Sequence, residues 1–218
     1  MKESEKWSVK FNRIELVGNF VCEPYYSHSF QDILYYKGYF QTKRSSGIAD
    51  TLIVNFPQSL LHSAKRSGQK RILGKIESRN YLDSTEKAHT SLYVSAEQIC
   101  PINETDSTGN EAAFNGFICK PPILRSTPRG RRIAEVMVSA YKGNSQRSFI
   151  PCIFWDDRAT QISSFDVGTM LHITGRLQSR EYRKKMPDDT QEIKVTYELS
   201  VCRYGILAPP KNRTERVG

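Results

Sequence analysis

The chain is 218 residues long, with 38% hydrophobic and 25% charged residues, and such a length fits one large domain or two small ones. The ordinary composition excludes collagen-like, low-complexity and wholly disordered chains. The 32 lysines and arginines exceed the 23 aspartates and glutamates, and the net charge of +9 makes a polyanion the first partner to consider.

Targeting and metal-binding signals are not visible in the sequence. No segment approaches the roughly 18 consecutive apolar residues that a membrane-spanning helix needs. The N-terminus, MKESEKWSVK, is charged and has no apolar run behind it, so we expect no secretory signal. The five cysteines and four histidines lack the spacing of a zinc site or a disulfide framework. The sequence therefore predicts a soluble, cytoplasmic protein without a metal or another cofactor.

Two pairs of segments repeat along the chain. Ile72–Tyr81 aligns with Ile173–Tyr182 at an offset of 101, and Phe20–Pro24 aligns with Phe117–Pro121 at an offset of 97. Nearly constant offsets indicate two copies of a unit of about 100 residues. The polar, turn-forming run Pro101–Asn110 lies between the copies and is typical of a linker. The repeat predicts a first domain over residues 8–100, a linker over 101–113, a second domain over 114–207 and a short basic tail over 208–218.

In the first copy, period-two alternation and short apolar runs predict strands with one helix after the third. The strands cover Phe11–Val21, Ile33–Thr42, Asp50–Phe56, Gln69–Tyr81 and Ser91–Ile99, and the helix covers Gln58–Lys65. The second copy shows the same order more clearly. Its predicted elements include strands Ala134–Ala140, Ser148–Trp155, Met170–Tyr182 and Glu192–Arg203, with a helix over Asp156–Phe165. Five strands with a single helix between the third and fourth is the plan of an OB-fold, a small Greek-key barrel. We therefore predict an all-β protein of two tandem OB-folds.

One strand of the second copy presents two large rings. Side chains alternate across a strand, and we assign the wholly apolar set of Ile150, Cys152 and Phe154 to the core. Phe149 and Trp155 then lie on the outer face.

The following strand alternates cationic and aromatic residues on one face in both copies. The matched residues are Arg176, Gln178, Arg180 and Tyr182 in the second copy and Lys75, Glu77, Arg79 and Tyr81 in the first. Cations neutralise phosphates and flat rings accept unstacked bases, so the combination suits single-stranded nucleic acid. The structural alternative is that the aromatics are core or interface residues and the cations are simply solvated. The candidate nucleic-acid-binding residues are Phe149, Trp155, Arg176, Arg180, Tyr182, Lys75, Arg79 and Tyr81.

Signatures of catalysis are missing from the sequence. It contains no phosphate-binding loop, dinucleotide-binding fingerprint, nucleophile elbow or zinc-protease motif. The carboxylate pair Asp156/Asp157 opens the predicted helix, where acids suit the helix dipole, and Asp188/Asp189 lies in a predicted turn. We therefore expect no enzyme and no catalytic residue.

Three stretches resemble the bacterial single-stranded-DNA-binding proteins of the SSB family, in the form with two OB-folds per chain. They are Asn12–Gly18 with Glu23–Pro24, Phe149–Trp155 and Val167–Tyr182. The last is the most specific, because family members typically carry a Gly-Arg-Leu-x-x-Arg motif followed by an aromatic residue. The resemblance covers most of 115–204 and part of 11–99, and it implies OB-folds that bind single-stranded DNA. It places the family's stacking aromatics at Phe149, Trp155, Tyr182 and Tyr81.

The first copy departs from the family pattern. Pro57 stands where the second copy has Trp155, and Thr51 stands where it has Phe149, so Tyr81 is the stacking ring that is retained. Four aromatic residues on the second strand offer compensation wherever alternation does not turn them into the core: Tyr35, Tyr36, Tyr39 and Phe40.

The resemblance also bears on the C-terminal residues and on the oligomeric state. Residues 209–218 are basic, whereas the family usually ends in an acidic tip that recruits other replication proteins, so we expect no recruitment by that route. Family members usually assemble four OB-folds. The resemblance therefore suggests a homodimer.

The leading hypothesis is a non-enzymatic protein that coats single-stranded DNA, with little sequence preference, in DNA replication, recombination or repair. The alternative is a diverged OB-fold module that binds protein partners in a primosome or a mobile-element replication complex. The rings lost from the first copy favour the alternative, whereas the matched arginine and tyrosine pattern opposes it.

Overall fold

The structure is a computed structural model of the chain, and it describes residues 8–82, 86, 88–102, 109–143, 146–185 and 191–208. The chain divides into two compact units. Over their described residues, the N-terminal unit consists of Arg13–Ala112 and Leu177–Glu198, and the C-terminal unit consists of Met1–Asn12, Ala113–Arg176 and Leu199–Gly218. Within the described ranges, no helix combines the length and the apolar character that crossing a bilayer requires.

The described part of the first copy forms six strands and a short helical segment. The strands are β1 Asn12–Phe20, β2 Tyr25–Phe30, β3 Ile33–Lys43, β4 Ala49–Pro57, β5 Lys70–Leu82 and β6 Ala88–Pro101. A 3₁₀ turn over Gln58–Leu60 leads into helix α1, Leu61–Lys65.

Five of these strands close a barrel. Antiparallel pairs join β3 to β1, β1 to β5, β5 to β6 and β3 to β4. The circuit closes where β4 runs parallel to β6, with Val54 opposite Val94 and Asn55 opposite Ser95. β2 stands at the end of the strand order and pairs with β3. A five-stranded barrel with its helix between the third and fourth barrel strands is an OB-fold.

The second copy repeats this plan. Its elements are β7 Asn110–Ile118, β8 Ile123–Ser126, β9 Arg132–Gly143, β10 Gln146–Trp155, α2 Asp157–Ile162, β11 Met170–Lys185 and β12 Gln191–Ala208. The barrel order is β7, β9, β10, β12, β11 and back to β7, and β10 runs parallel to β12. The predicted all-β fold with two OB-folds is confirmed. The far ends of β11 and β12, Leu177–Glu198, group with the N-terminal unit.

The core follows the predicted alternation. On β9, the side chains of Ala134, Val136, Val138 and Ala140 are at most 1% exposed. On β10, Ile150, Cys152 and Phe154 are fully buried, as predicted. Burying a large apolar side chain contributes about 1.5–3 kcal/mol, so this spacing fixes which face of each strand points inward.

A glycine stands at the same place in both copies. A Cβ on Gly74 would lie closer than 3.0 Å to the carbonyl oxygen of Ser95 on β6, and a Cβ on Gly175 would meet that of Ser200 on β12 equally closely. Such separations are below any real van der Waals contact of a Cβ. The glycine that the repeat retains is therefore required by close strand packing.

Two strands escape the sequence prediction, β2 and β8. Neither contains a buried residue, since β8 is exposed throughout and β2 is at most half-buried. A strand without a core face has no period-two signal, and its stability comes from hydrogen bonds to the neighbouring strand. Residues 103–108 of the predicted linker and the tail after residue 208 lie outside the described residues.

Candidate nucleic-acid interface

Phe149 and Trp155 lie on the outer face of β10, opposite the buried Ile150 and Phe154. Phe149 is 38% exposed and Trp155 is half-buried. Five residues of strand lie between them, so their Cα atoms are about 20 Å apart. They are therefore separate stacking positions along one strand rather than one aromatic cluster.

Trp155 is held by an arginine and a serine. The Arg131 guanidinium carbon lies 4.6 Å from the centroid of the indole ring. The indole Nε1 donates a hydrogen bond to the Ser200 hydroxyl at 3.2 Å. Arg131 itself binds Asp156, with Nη2 and Oδ2 2.6 Å apart, and this bond lowers the pKa of the Asp156 carboxyl. The ring is thus pre-oriented, and one of its faces carries a cation–π contact.

Phe149 lies among further rings and cations. In the antiparallel register, Phe149 is opposite Ser139 of β9, and Ser139 is also opposite Phe117 of β7. Arg147 lies over the Phe117 ring, with 5.5 Å between its guanidinium carbon and the centroid. Two residues before Phe149 on the same strand, Arg147 is opposite Tyr141. Strand pairing therefore gathers three rings and a guanidinium on one face, with Lys10 over the Tyr141 ring at 5.6 Å.

Sequence reasoning missed Phe117, Arg131, Tyr141 and Arg147. Arg147 does follow from alternation along β10, two residues before Phe149, and was overlooked, whereas Phe117, Arg131 and Tyr141 reach the face from a neighbouring strand or turn. Their signal in the sequence is the register: a hairpin of β9 and β10 places Tyr141 opposite Arg147. That register becomes visible once the turn between the two strands is located.

The structure distributes the predicted residues over both units. Phe149, Trp155 and the half-buried Arg176 belong to the C-terminal unit. Arg180 and Tyr182, on the far end of β11, group with the N-terminal unit. Arg180 faces Glu198, with Nε and Oε2 3.4 Å apart, and Tyr182 is 38% exposed. Lys75, Arg79 and Tyr81 complete the predicted set in the N-terminal unit.

The outward-facing residues Lys75, Glu77, Arg79 and Tyr81 of β5 form a row, the β5 row, in which the charge of Lys75 is compensated. Lys75 Nζ lies 2.5 Å from Glu97 Oε1. Glu77 Oε2 accepts a hydrogen bond from the Tyr93 hydroxyl at 2.7 Å, and burial together with the Glu77 charge raises the pKa of Tyr93. Exposed ion pairs of this kind contribute about 0–1 kcal/mol to stability. Their greater effect here is to reduce the positive charge available to a phosphate.

The far end of β5 leaves a cation and a ring accessible. Arg79 is exposed, and Tyr81 is 45% exposed. The Tyr81 ring stacks on His89 of β6, with centroids 5.5 Å apart and planes inclined by 27°. One face of the Tyr81 ring is therefore occupied by an imidazole.

Thr51, which stands where the second copy has Phe149, contacts β11 through its backbone. The Thr51 amide donates to the Ser179 hydroxyl at 3.1 Å. Next to it, the fully buried carboxylate of Asp50 binds Arg44 through two bonds of 2.6 and 2.8 Å and accepts the Ser179 amide at 2.9 Å. A buried carboxylate requires such compensation. β11 thus contacts β4 through the side chain of Asp50 and the backbone of Thr51.

The four aromatic residues proposed as compensation on β3 divide by face. Phe40 is fully buried, and Tyr36 stacks on Phe56 with centroids 6.4 Å apart. Tyr35 and Tyr39 lie on the other face, where Lys37 lies over the Tyr39 ring at 5.4 Å. Two of the four rings are therefore directed away from the core.

Comparison with known proteins adds to this geometry. Residues 110–202 match the model of the Single-strand binding protein family. Single-stranded DNA-binding protein 2 of Listeria monocytogenes is 28% identical over 113 residues, which cover 49% of this chain and 68% of that protein. Single-stranded DNA-binding protein A of Bacillus subtilis is 29% identical over 83 residues, which cover 35% of this chain and 48% of that protein. The chain thus spans about half the length of the Bacillus relative.

A solved structure extends the likeness to both copies of the repeat. The single-stranded DNA binding protein from Thermus aquaticus is 18% identical and has a TM-score of 0.69, with 95% of this chain and 97% of that chain covered. At this identity the likeness shows the fold. Together with the match over residues 110–202, it confirms the predicted resemblance of this chain to the Single-strand binding protein family.

Proposed function

We propose that this chain binds single-stranded DNA by stacking bases on exposed rings and pairing phosphates with neighbouring cations. The observation that carries the proposal is the outer face of β10, where Phe149 is 38% exposed and Trp155 is fixed beneath Arg131. Stacking of one base on an aromatic side chain contributes about 1–3 kcal/mol. The relatives named above, which are single-stranded DNA-binding proteins, support the same ligand.

In this mechanism, rings and cations have separate tasks. Every base has a flat face, so stacking on Phe149, Trp155, Tyr182 or Tyr81 gives affinity with little sequence preference. Arg176, Arg180, Arg79 and Lys75 would act on phosphates, whose neutralisation releases counterions and makes affinity fall with salt. The proposed activity requires no catalytic step.

The wider role is also part of the proposal. A coat on exposed single strands serves DNA replication, recombination or repair, and such a protein acts in the cytoplasm. We take residues 8–100 and 114–207 as the two OB-fold domains. A homodimer would bring four OB-folds together and lengthen the strand that one assembly covers.

Tryptophan fluorescence tests the proposal directly. A Trp7→Phe variant leaves Trp155 as its single tryptophan, and oligo-dT is titrated into it at two salt concentrations beside a duplex of the same length. We expect quenching by the single strand that weakens as salt rises. Unchanged fluorescence, with no binding seen by anisotropy of labelled oligo-dT, would overturn the proposal and favour the protein-binding module instead.

A further inference from the structure

We propose that the N-terminal unit has a base-stacking site of its own on the β2–β3 hairpin, an inference that rests on the function proposed above. The site is a group of five residues that we call the tyrosine surface. Its members are Tyr25, His28, Tyr35, Lys37 and Tyr39. The ligand is the same single-stranded DNA, bound through faces of unstacked bases.

Strand register places the tyrosine surface on one side of the hairpin. Tyr25 of β2 is opposite Lys37 of β3, and His28 is opposite Tyr35 after a register shift between Tyr26 and His28. Tyr39 follows two residues after Lys37 on the same side of β3. The other side of β3 contributes the buried Phe40 to the core. The five side chains therefore share the face that the core does not use.

The rings of this surface are pre-arranged for stacking. The His28 and Tyr35 rings are nearly parallel, with centroids 5.0 Å apart and planes inclined by 7°. The Tyr25 side chain is 45% exposed, and its hydroxyl shares a hydrogen bond with that of Tyr39, which raises the pKa of Tyr25. An offset, parallel pair of this kind is the arrangement that flat rings prefer. A base can extend the His28–Tyr35 stack by one more layer.

The charge of the hairpin suits a polyanion. Lys37 lies over the Tyr39 ring at 5.4 Å, and Lys43 at the end of β3 is exposed. Between Tyr25 and Lys43, the sequence has one acidic residue, Asp32, in the turn that joins β2 to β3. The β5 row differs, since Glu97 compensates Lys75 there. A phosphate chain therefore finds Lys37 and Lys43 on the same strand as two of the rings of the tyrosine surface.

The location of the tyrosine surface also accounts for one of the two rings missing from β4. Tyr35 is directly opposite Pro57, the residue that replaces a tryptophan in this copy. Cross-strand neighbours on one face have Cβ atoms about 4.5–5.5 Å apart. A ring on β3 at Tyr35 thus occupies nearly the same area as a ring on β4 would. The stacking position has moved by one strand.

The test uses the full chain and fluorescein-labelled oligo-dT, with binding measured by anisotropy. We expect Tyr35→Ala and Tyr39→Ala each to weaken binding by about 5- to 150-fold, the equivalent of one lost base stack. Tyr35→Phe keeps the ring and should keep the affinity. Tyr26→Ala is the matched control, because Tyr26 is 53% exposed but lies on the opposite side of β2, against Tyr36.

A second measurement needs no variant. Ultraviolet crosslinking of oligo-dT to the unmodified chain, followed by peptide mapping, should give crosslinks within Tyr25–Tyr39. If the chain binds oligo-dT but this segment gives no crosslink and Tyr35→Ala folds and binds normally, the inference is wrong while the proposed function stands. If the unmodified chain does not bind oligo-dT at all, both are wrong. Should Tyr35→Ala fail to fold, the crosslinks decide.

Discussion

Arg131 lies on the face of Trp155 and at the same time binds Asp156. Its guanidinium carbon is 4.6 Å from the indole centroid, and its Nη2 is 2.6 Å from Asp156 Oδ2. The carboxylate therefore competes with any phosphate for this cation. Because both charged groups are about half-exposed, the pair itself adds little to stability. Its main effect is to weaken the binding of a phosphate to Arg131.

Removing that competitor should strengthen binding. In Asp156→Asn, Arg131 becomes available to a phosphate, so we expect tighter binding of oligo-dT and a salt dependence steeper by about 0.7 in log–log slope. The measurement is anisotropy over a salt series. Asp166→Asn is the control, because it removes the same charge at an exposed position. Equal effects of the two variants would show that net charge, rather than Arg131, is responsible.

Phe149 offers a second position at which to test stacking. We expect Phe149→Ala to weaken binding of oligo-dT by about 5- to 150-fold through the loss of one stacked base. Phe149→Tyr keeps the flat ring and should bind as the unmodified chain does. Because the residue is only 38% exposed, the alanine variant should also melt at a lower temperature, and binding is measured where it is folded. If the folded alanine variant bound oligo-dT with wild-type affinity, Phe149 would not be part of the interface.

The glycines of β5 and β11 should be intolerant of any side chain. In Gly74→Ala and Gly175→Ala, the new methyl group would meet the carbonyl oxygens of Ser95 and Ser200, and overpacking of this kind costs about 1–3 kcal/mol. Urea denaturation measures the loss in the free energy of unfolding. Gly205→Ala is the matched control, since a Cβ there has nothing within 4 Å. Normal stability of Gly175→Ala would contradict the close approach of β12.

Alkaline pH should destabilise the fold through Tyr197. Burial, with a smaller contribution from Tyr39, raises the pKa of Tyr197 to about 12. In the unfolded chain this hydroxyl has the ordinary tyrosine pKa of about 10. The contribution to stability is therefore fully present below about pH 10 and is lost as pH rises toward the folded value.

Urea unfolding at a series of alkaline pH values measures this effect. The free energy of unfolding should decrease through that window, and Tyr197→Phe should make the decrease shallower. Phenolate absorbance gives an independent record of the titration. If Tyr197→Phe followed the same pH dependence as the unmodified chain, the decrease would belong to other groups.

Much of the fold could be predicted because burial repeats every two residues. Ala134, Val136 and Val138 on β9 are each at most 1% exposed, and only a strand places such residues on one side. β8 has no buried residue, so no pattern marks it. Its residues become a strand because β9 offers hydrogen-bonding partners, with Ile123 opposite Glu135.

The candidate site was predictable along strands but not across them. Alternation placed Phe149 and Trp155 on the outer face of β10, whereas the cation on Trp155 comes from the turn before β9. Likewise, nothing in the sequence pairs Lys75 with Glu97. Their contact depends on a register shift between Leu73 and Gly74 in the β5–β6 pair, and such a shift reflects the local packing of two strands rather than the residue pattern of either.

The parallel strand pair that closes each barrel also bears on the order of folding events. Val54 pairs with Val94 and Cys152 with Leu199, so each closure joins residues 40 or more positions apart, whereas the β9–β10 hairpin begins with Gly143 opposite Gln146. Closing a longer loop costs more chain entropy, and non-local pairing slows folding. The hairpins should therefore form first and the parallel seams last. Until its seam forms, each barrel is an open curved sheet, and the outer face of β10 acquires its final curvature only in that last step.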